Sequence, residues 1–288
     1  MSSIERYERP ASVETAVEIL RGGDVTVLAA GTDLMVQTQA GRVEFSGTLM
    51  NILHIPEMKG ISVANGEIRL GALTTIAEFM ESDIVTEHLP ALFESGDCFA
   101  SGQLRNAGTI GGNIMNASPA GDTLIPLLIY DAEVELASKA DGGIDRRRVA
   151  LRNFLTGPGK TSAKKPELLT AVFVPVPSAG QRSRFYKFGA RPALDISTIS
   201  IGLAAVPVDG ALIDVRVAFG AVAPTPIRAT ATEAAIEGCP IDEPALDLIA
   251  KVARQDAAPI DDVRGSAWYR QELIHNVIKR MLRDVAQM

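Results

Sequence analysis

Residues 99–122, FASGQLRNAGTIGGNIMNASPAGD, combine five glycines, three asparagines, small hydroxyl or alanine side chains and a closing acid. Small side chains let a backbone approach a ligand closely, and glycine permits the positive φ that turns successive N–H groups toward one point. A shorter stretch of the same character, LAAGTDLM at residues 28–35, ends an apolar run. No Lys/Arg cluster accompanies either stretch to neutralise a pyrophosphate. Backbone amides are the alternative anion site. The pair therefore points to a large phosphorylated cofactor held mainly by main chain. A structural Ω-loop at 99–122, or an ordinary strand–turn–helix corner at 28–35, would have the same composition.

Spacing excludes two familiar nucleotide motifs. Gly31 stands alone, and Gly108, Gly111 and Gly112 do not fit G-x-G-x-x-G after a strand. No G-x-x-x-x-G-K-[ST] occurs. Cys98 and Cys239 are two thiols where an iron–sulfur cluster takes four ligands, so this chain cannot hold such a cluster alone. His54, His88 and His275 are scattered and form no zinc spacing with the cysteines. No nucleophile–base pair and no paired carboxylates stand out.

The totals fit that picture. At 288 residues with 47% hydrophobic content, the chain can build two cored domains. Its net charge of −7 argues against a nucleic-acid or anionic-membrane surface. No apolar run approaches a membrane span. MSSIERYERP lacks the basic and apolar regions of a secretory signal, and the absence of disulfide spacing fits a reducing compartment, so a cytoplasmic location is expected.

The elements that must position these stretches are legible in outline. Ser12 ahead of Val13, Ala16, Val17 and Leu20 predicts a capped helix that Gly22-Gly23 stops. Val25–Ala29 and Leu49–Leu53 read as strands, and Asn65-Gly66 as a hairpin turn. Thr75 and Glu78 form a capping-box pattern for a helix through Met80. A helix is expected from Glu87 to about Phe99, delivering the chain into the long glycine loop. Glu133–Ala137 and Leu168–Val174 read as strands, with a short helix at Leu151–Leu155. Pro175, Pro177, Ser178, Ala179 and Gly180 mark a linker. Beyond it, strands near 183–188, 197–206 and 212–221 precede helices near 230–237, 243–253 and 266–285, an α+β pattern. Trp268, within the last helix, is expected to pack.

LAAGTDLMVQ and TIGGNIMNASPAGD resemble the two FAD-binding motifs of the flavoprotein (medium) subunit of molybdenum hydroxylases, the family of xanthine dehydrogenase and carbon monoxide dehydrogenase. The similarity continues through GALTTIAEF, LLTAVFVP, YKFGARPALDIS and SAWYR, and covers essentially the whole chain. It implies an α+β fold. A two-subdomain FAD-binding domain of the vanillyl-alcohol-oxidase (PCMH) type would span residues 1–176, with subdomains of about 1–56 and 57–176. A smaller C-terminal domain, an antiparallel sheet plus helices, would span 177–288.

The resemblance further implies site residues. The first loop would wrap the pyrophosphate with Leu28, Ala29, Ala30, Gly31, Thr32, Asp33, Leu34 and Met35; the family commonly has glycine where Ala30 stands. Thr109, Gly112 and Asn113 would hold phosphate or ribityl oxygens, and Asp122 would accept from ribityl hydroxyls. Phe99 and Leu169 would pack near the cofactor, plain core packing being the alternative for each. Lys187 would lie beside the isoalloxazine, where a cation stabilises negative charge and raises the potential; a solvated strand lysine is the alternative. Arg191 and Asp195 could form an interdomain ion pair. Ile196 stands where some relatives cover the flavin with an aromatic ring.

By the same resemblance the chain is an electron-transfer subunit, without catalytic residues or metal of its own. A large molybdenum-cofactor subunit would oxidise the substrate, and a small subunit would pass electrons through [2Fe–2S] clusters to FAD here and on to NAD or another acceptor. The assembly would be a heterotrimer, expected as a dimer of heterotrimers. The alternative is a self-sufficient FAD-dependent reductase or oxidase of related fold, like UDP-N-acetylenolpyruvoylglucosamine reductase. Such an enzyme needs a substrate-side general acid, and none stands out.

Overall fold

The structure is a computed structural model, described here over residues 4–191 and 194–287. Among the described residues, three sheets of three or more strands follow one another along the chain, with one two-stranded ribbon besides. The first is wholly parallel, in the order β1-β3-β2, and is built from β1 (Arg6–Glu8), β2 (Val25–Leu28) and β3 (Thr48–Asn51). Helix α1 (Val13–Arg21) connects β1 to β2, and α2 (Leu34–Gln39) follows β2. The α1 cap is as expected: the Ser12 hydroxyl accepts from the Thr15 amide at 3.2 Å, and Val13, Ala16 and Val17 are buried.

The second sheet begins with the hairpin β4 (Ile61–Ala64) and β5 (Glu67–Gly71). Asn65 and Gly66 between them have φ of 54° and 77°, the two positive values that a type I′ turn requires. A run of short helices follows: α3 (Ile76–Met80), α4 (Asp83–His88), α5 (Pro90–Asp97), α6 (Gly102–Ala107), α7 (Ile110–Asn116) and α8 (Leu124–Ile129). The Thr75/Glu78 capping box on α3 is complete. The remaining elements are β6 (Glu133–Ala140), β7 (Gly143–Ala150), α9 (Leu151–Phe154), the small ribbon β8 (Leu155–Gly157) and β9 (Lys160–Thr161), and β10 (Leu168–Pro175). The sheet order is β4-β5-β10-β6-β7, antiparallel throughout. One apolar core joins this sheet to the first, including Val17, Met50, Leu70, Phe79, Leu92 and Leu127.

The third sheet, β11-β12-β13-β14, is antiparallel and comprises β11 (Arg182–Phe188), β12 (Ile199–Val208), β13 (Ala211–Gly220) and β14 (Ile227–Arg228). Helices α10 (Thr230–Ile236), α11 (Glu243–Asp256) and α12 (Ala267–Gln287) follow it. They close a separate core around Leu203, Val217, Ile249, Ile274 and Met281. Strands first and helices afterwards is the α+β order that the sequence predicts.

The C-terminal sheet also packs onto the first domain. Gly202 allows α8 to lie against it, since a Cβ there would sit 2.9 Å from Ile125 Cγ2. Strand β11 lies along α5: Glu94 pairs with Arg184 and accepts from the Phe185 amide at 2.7 Å. Tyr130 and Ser183 share a 2.6 Å hydrogen bond beside the Ala91 amide.

Several expectations fail for local reasons. The helix predicted over Glu87–Phe99 is two helices, broken at Leu89 (φ −127°, ψ 53°), because a residue before proline is pushed out of the αR region. The stretch 99–122 is not an open loop; Ser101 and Thr109 cap α6 and α7 within it. Its glycines do not adopt positive φ either. Left-handed backbone falls instead on Ala100 (φ 36°) and Ala117 (φ 46°). Trp268 is 68% exposed rather than packed, since it lies two positions from Arg270 and so on the far side of α12 from Arg270, Ile274 and Ile278.

Candidate functional site

The first glycine turn starts where β2 ends, at Leu28. Gly31 has φ of +73°, a conformation that L side chains rarely adopt. Within the turn, the Met35 amide donates to the Gly31 carbonyl at 3.0 Å and starts α2. Among the described residues, the amides of Ala30, Gly31, Thr32 and Asp33 find no acceptor in the chain. Asp33 sits at the α2 N-cap without a capping hydrogen bond. Met35 is 44% exposed, and no residue of α2 is buried. Four amides without an acceptor thus cluster around one positive-φ glycine, the kind of main-chain donor set from which anion sites are built.

The second motif is built differently. The Gly111 amide donates to the Ala72 carbonyl at 2.9 Å, and the Ile110 amide to Thr74. The Gly112 amide donates to Thr109 Oγ1 at 3.0 Å. The Asn113 amide reaches the Thr109 carbonyl, and its side-chain Oδ1 accepts from Thr123 at 2.7 Å. All four amides of Ile110–Asn113 are thus spent inside the chain. Gly111 serves close packing: a Cβ there would lie 2.6 Å from the Ala72 carbonyl oxygen.

The two turns converge. A Cβ placed on Gly108 would lie 3.8 Å from Thr32 Oγ1 and 3.9 Å from the Phe99 ring. Beside them opens a cavity of about 240 Å3, walled by Phe99, Ala100, Leu104, Ala120 and Asp122 of the first domain and by Leu194, Asp195 and Ile196 of the second.

At the edge of that cavity stands a buried ion pair. Lys187 Nζ lies 2.7 Å from Asp122 Oδ2, with side-chain exposures of 7% and 10%. The ammonium also donates to the Cys98 carbonyl at 3.2 Å. Ser197 Oγ lies 3.0 Å from the other Asp122 oxygen, and Ser197 is itself buried. Burial pushes the Asp122 carboxyl up, and the Lys187 charge and the hydrogen bonds from Lys187 and Ser197 hold it back. The solvated-strand reading of Lys187 is thereby excluded.

Other predicted residues fall elsewhere. Leu169 is 4% exposed on β10, in the core, and does not line the cavity. Asp195 accepts from the Ala190 and Ile196 amides at 2.6 and 2.9 Å, and Arg191 donates to the Leu194 carbonyl, so both make local contacts in place of an interdomain pair. Ile196 is 51% exposed at the cavity wall. Ser197 escaped sequence reasoning, because a lone serine beside an isoleucine carries no periodic or spacing signal.

Known proteins show which family the chain belongs to. Residues 2–177 match the family model described as "FAD binding domain in molybdopterin dehydrogenase", and residues 184–285 match "CO dehydrogenase flavoprotein C-terminal domain". The chain belongs to this family of FAD-binding medium subunits, and as such is a flavoprotein component of an oxidoreductase. It is 34% identical over 287 residues to the xanthine dehydrogenase FAD-binding subunit of Escherichia coli O157:H7, covering 99% of this chain and 97% of that one. It is 31% identical to the glyceraldehyde dehydrogenase medium chain of Sulfolobus acidocaldarius, over 97% of this chain and 98% of that one. Among solved structures it resembles carbon monoxide dehydrogenase from Hydrogenophaga pseudoflava, with a TM-score of 0.92, 30% identity and coverage of 99% and 98%.

Proposed function

We propose that this chain holds FAD between its two glycine-bearing motifs and relays electrons within a molybdenum-dependent dehydrogenase. The observation that supports the reading is the Gly31 turn, whose Ala30–Asp33 amides have no acceptor in the chain and which lies beside Gly108, just ahead of the second motif's cap. Leu28–Met35 would take the pyrophosphate, with main-chain dipoles supplying the positive potential that this acidic chain does not provide through side chains. Thr109 and Asn113 offer a hydroxyl and an amide group to phosphate or ribityl oxygens, and Gly112 allows close approach. Asp122 has lone pairs left for a ribityl hydroxyl, and Phe99 forms an apolar wall. Lys187 sets a fixed positive charge at the cavity edge. Leu169 supports the strand behind the site. FAD supplies the redox chemistry when bound; the protein binds, orients and tunes it.

The wider reading is that electrons come from [2Fe–2S] clusters of a small partner subunit, after substrate oxidation at a large molybdenum subunit, and leave to NAD or another acceptor. The expected assembly is a cytoplasmic dimer of heterotrimers. The names of the relatives support this reading, since they are those of subunits and medium chains of dehydrogenases.

The test is purification of the native assembly. One FAD per chain, co-purification of two further subunits and bleaching of the flavin by NADH under anaerobic conditions are expected. A colourless protein that yields no flavin on denaturation overturns the reading. A yellow monomer reducing a small substrate unaided would transfer it to the self-sufficient class.

A further inference from the structure

We propose that Ser197 is a positioning residue of the flavin site: its hydroxyl, given from the second domain, fixes the Asp122–Lys187 pair and through it the potential at the cavity. This inference rests on the proposed FAD site.

The argument starts from how the Asp122 carboxylate is held. Asp122 comes from the first domain, just ahead of α8, yet the donors to both its oxygens come from the second domain. Lys187 on β11 takes Oδ2 at 2.7 Å, and Ser197, just before β12, takes Oδ1 at 3.0 Å. The carboxylate is therefore clamped at two points, with its plane and rotation fixed. Ser197 is 1% exposed and does not line the cavity, so it acts only through Asp122. Its own backbone is pinned in turn: Asp195, two residues earlier, is anchored by the amides of Ala190 and Ile196, and the Thr198 amide donates to the Phe188 carbonyl at 2.7 Å.

Around a charge pair this far removed from solvent, small changes in the dispersion of charge are felt strongly. A carboxylate and an ammonium in contact nearly cancel at a distance, and the residual field depends on how the negative charge is dispersed. The Ser197 hydroxyl withdraws part of that charge from the cavity side. Without it, Asp122 keeps one anchor and presents more negative potential, which disfavours adding electrons nearby. Beside Asp122, the ionisable group that feels the ammonium is Cys98 next to α5; Asp97 and Glu94 act on that thiol in turn, and Glu94 is already paired with Arg184.

The experiment is a spectroelectrochemical titration of the flavin in the purified holoenzyme. Ser197→Ala should retain FAD and shift the midpoint potential to more negative values. Ser197→Thr, which keeps a hydroxyl, should stay at the wild-type potential. Asp122→Asn, which removes the negative charge and leaves Lys187, should shift in the opposite direction. Wild-type potentials in Ser197→Ala overturn the proposal. So does loss of FAD from Ser197→Ala alongside normal Ser197→Thr, since the hydroxyl would then hold the cofactor rather than tune it. Failure of the underlying FAD reading would show separately, as a wild-type protein without flavin.

Discussion

Asp122 and Lys187 meet at 2.7 Å across the junction between the FAD-binding domain and the C-terminal domain, and both side chains are almost entirely removed from solvent. The pair therefore does two things at once: it docks β11 against the segment ahead of α8, and it places a compensated charge at the cavity.

Removing one partner of such a pair costs about 3–5 kcal/mol, because the other charge stays buried alone. Lys187→Met should thus unfold at a markedly lower temperature. The loss should also depend on pH. Burial already pushes the Asp122 carboxyl up, and without Lys187 it rises further above the roughly 4 of a free aspartate. The folded variant then binds a proton that the unfolded chain does not. Its stability is retained at low pH and lost as pH rises through the folded-state value. Thermal melts at pH 5 and pH 8 should show a larger deficit against wild type at pH 8. An equal deficit at both would refute the ionised-carboxylate account.

At the first turn, Gly31→Ala should act on cofactor more than on fold. The φ of +73° costs an L residue roughly 1–2 kcal/mol, and the new methyl would sit 3.0 Å from Leu28 Cδ1 and 3.2 Å from Met35 Cγ. Relief of that strain moves the amides of Ala30–Asp33 out of register. Flavin per chain, read from visible absorbance, should fall well below wild type while far-ultraviolet circular dichroism is preserved.

Gly111→Ala should do the reverse. Its Cβ would meet the Ala72 backbone oxygen at 2.6 Å and the Ala72 Cβ at 2.8 Å, neither of which can swing aside. Overpacking of this kind costs about 1–3 kcal/mol. The melting temperature of the apoprotein, measured after flavin is stripped, should drop; an unchanged value would contradict the packing role.

Glu94→Ala should loosen the junction. It removes the acceptor of the Phe185 amide as well as the Arg184 pair, leaving a part-buried N–H unpaired at a cost of about 1–3 kcal/mol. Limited proteolysis between Val176 and Gln181 should then run several-fold faster than in wild type.

Much of this architecture was legible in the residues, because strong local signals coincide with tertiary demands. Ser12 and Thr75 cap helices, and Asn65-Gly66 takes the mirror-image turn. Strand β7 was not legible. Its sequence, GIDRRRVA, reads as solvated chain, but each arginine is matched across space: Arg146 to Glu135 and Glu57, Arg147 to Glu167, Arg148 to Glu67 and the Phe173 ring. Those partners are remote in sequence, so no local window contains the signal. The site divides in the same way. The motifs bring Gly31, Thr109 and Asp122 into view through their composition and family likeness. Ser197 is recognised only from how the two domains meet, and the positive φ at Ala117, the left-handed C-cap of α7, falls on an alanine where composition pointed to glycine.

The unequal use of amides in the two motifs bears on how relatives should be sorted. Gly111 is demanded by the backbone of Ala72 whether or not anything is bound, so a descendant that had shed its coenzyme would still keep TIGGN to stay folded. The turn at Gly31 meets only flexible side chains and leaves its amides without an internal acceptor, so drift would erase it first. Diagnosis of a coloured or colourless cousin should therefore read GTD, and give the better-known signature little weight.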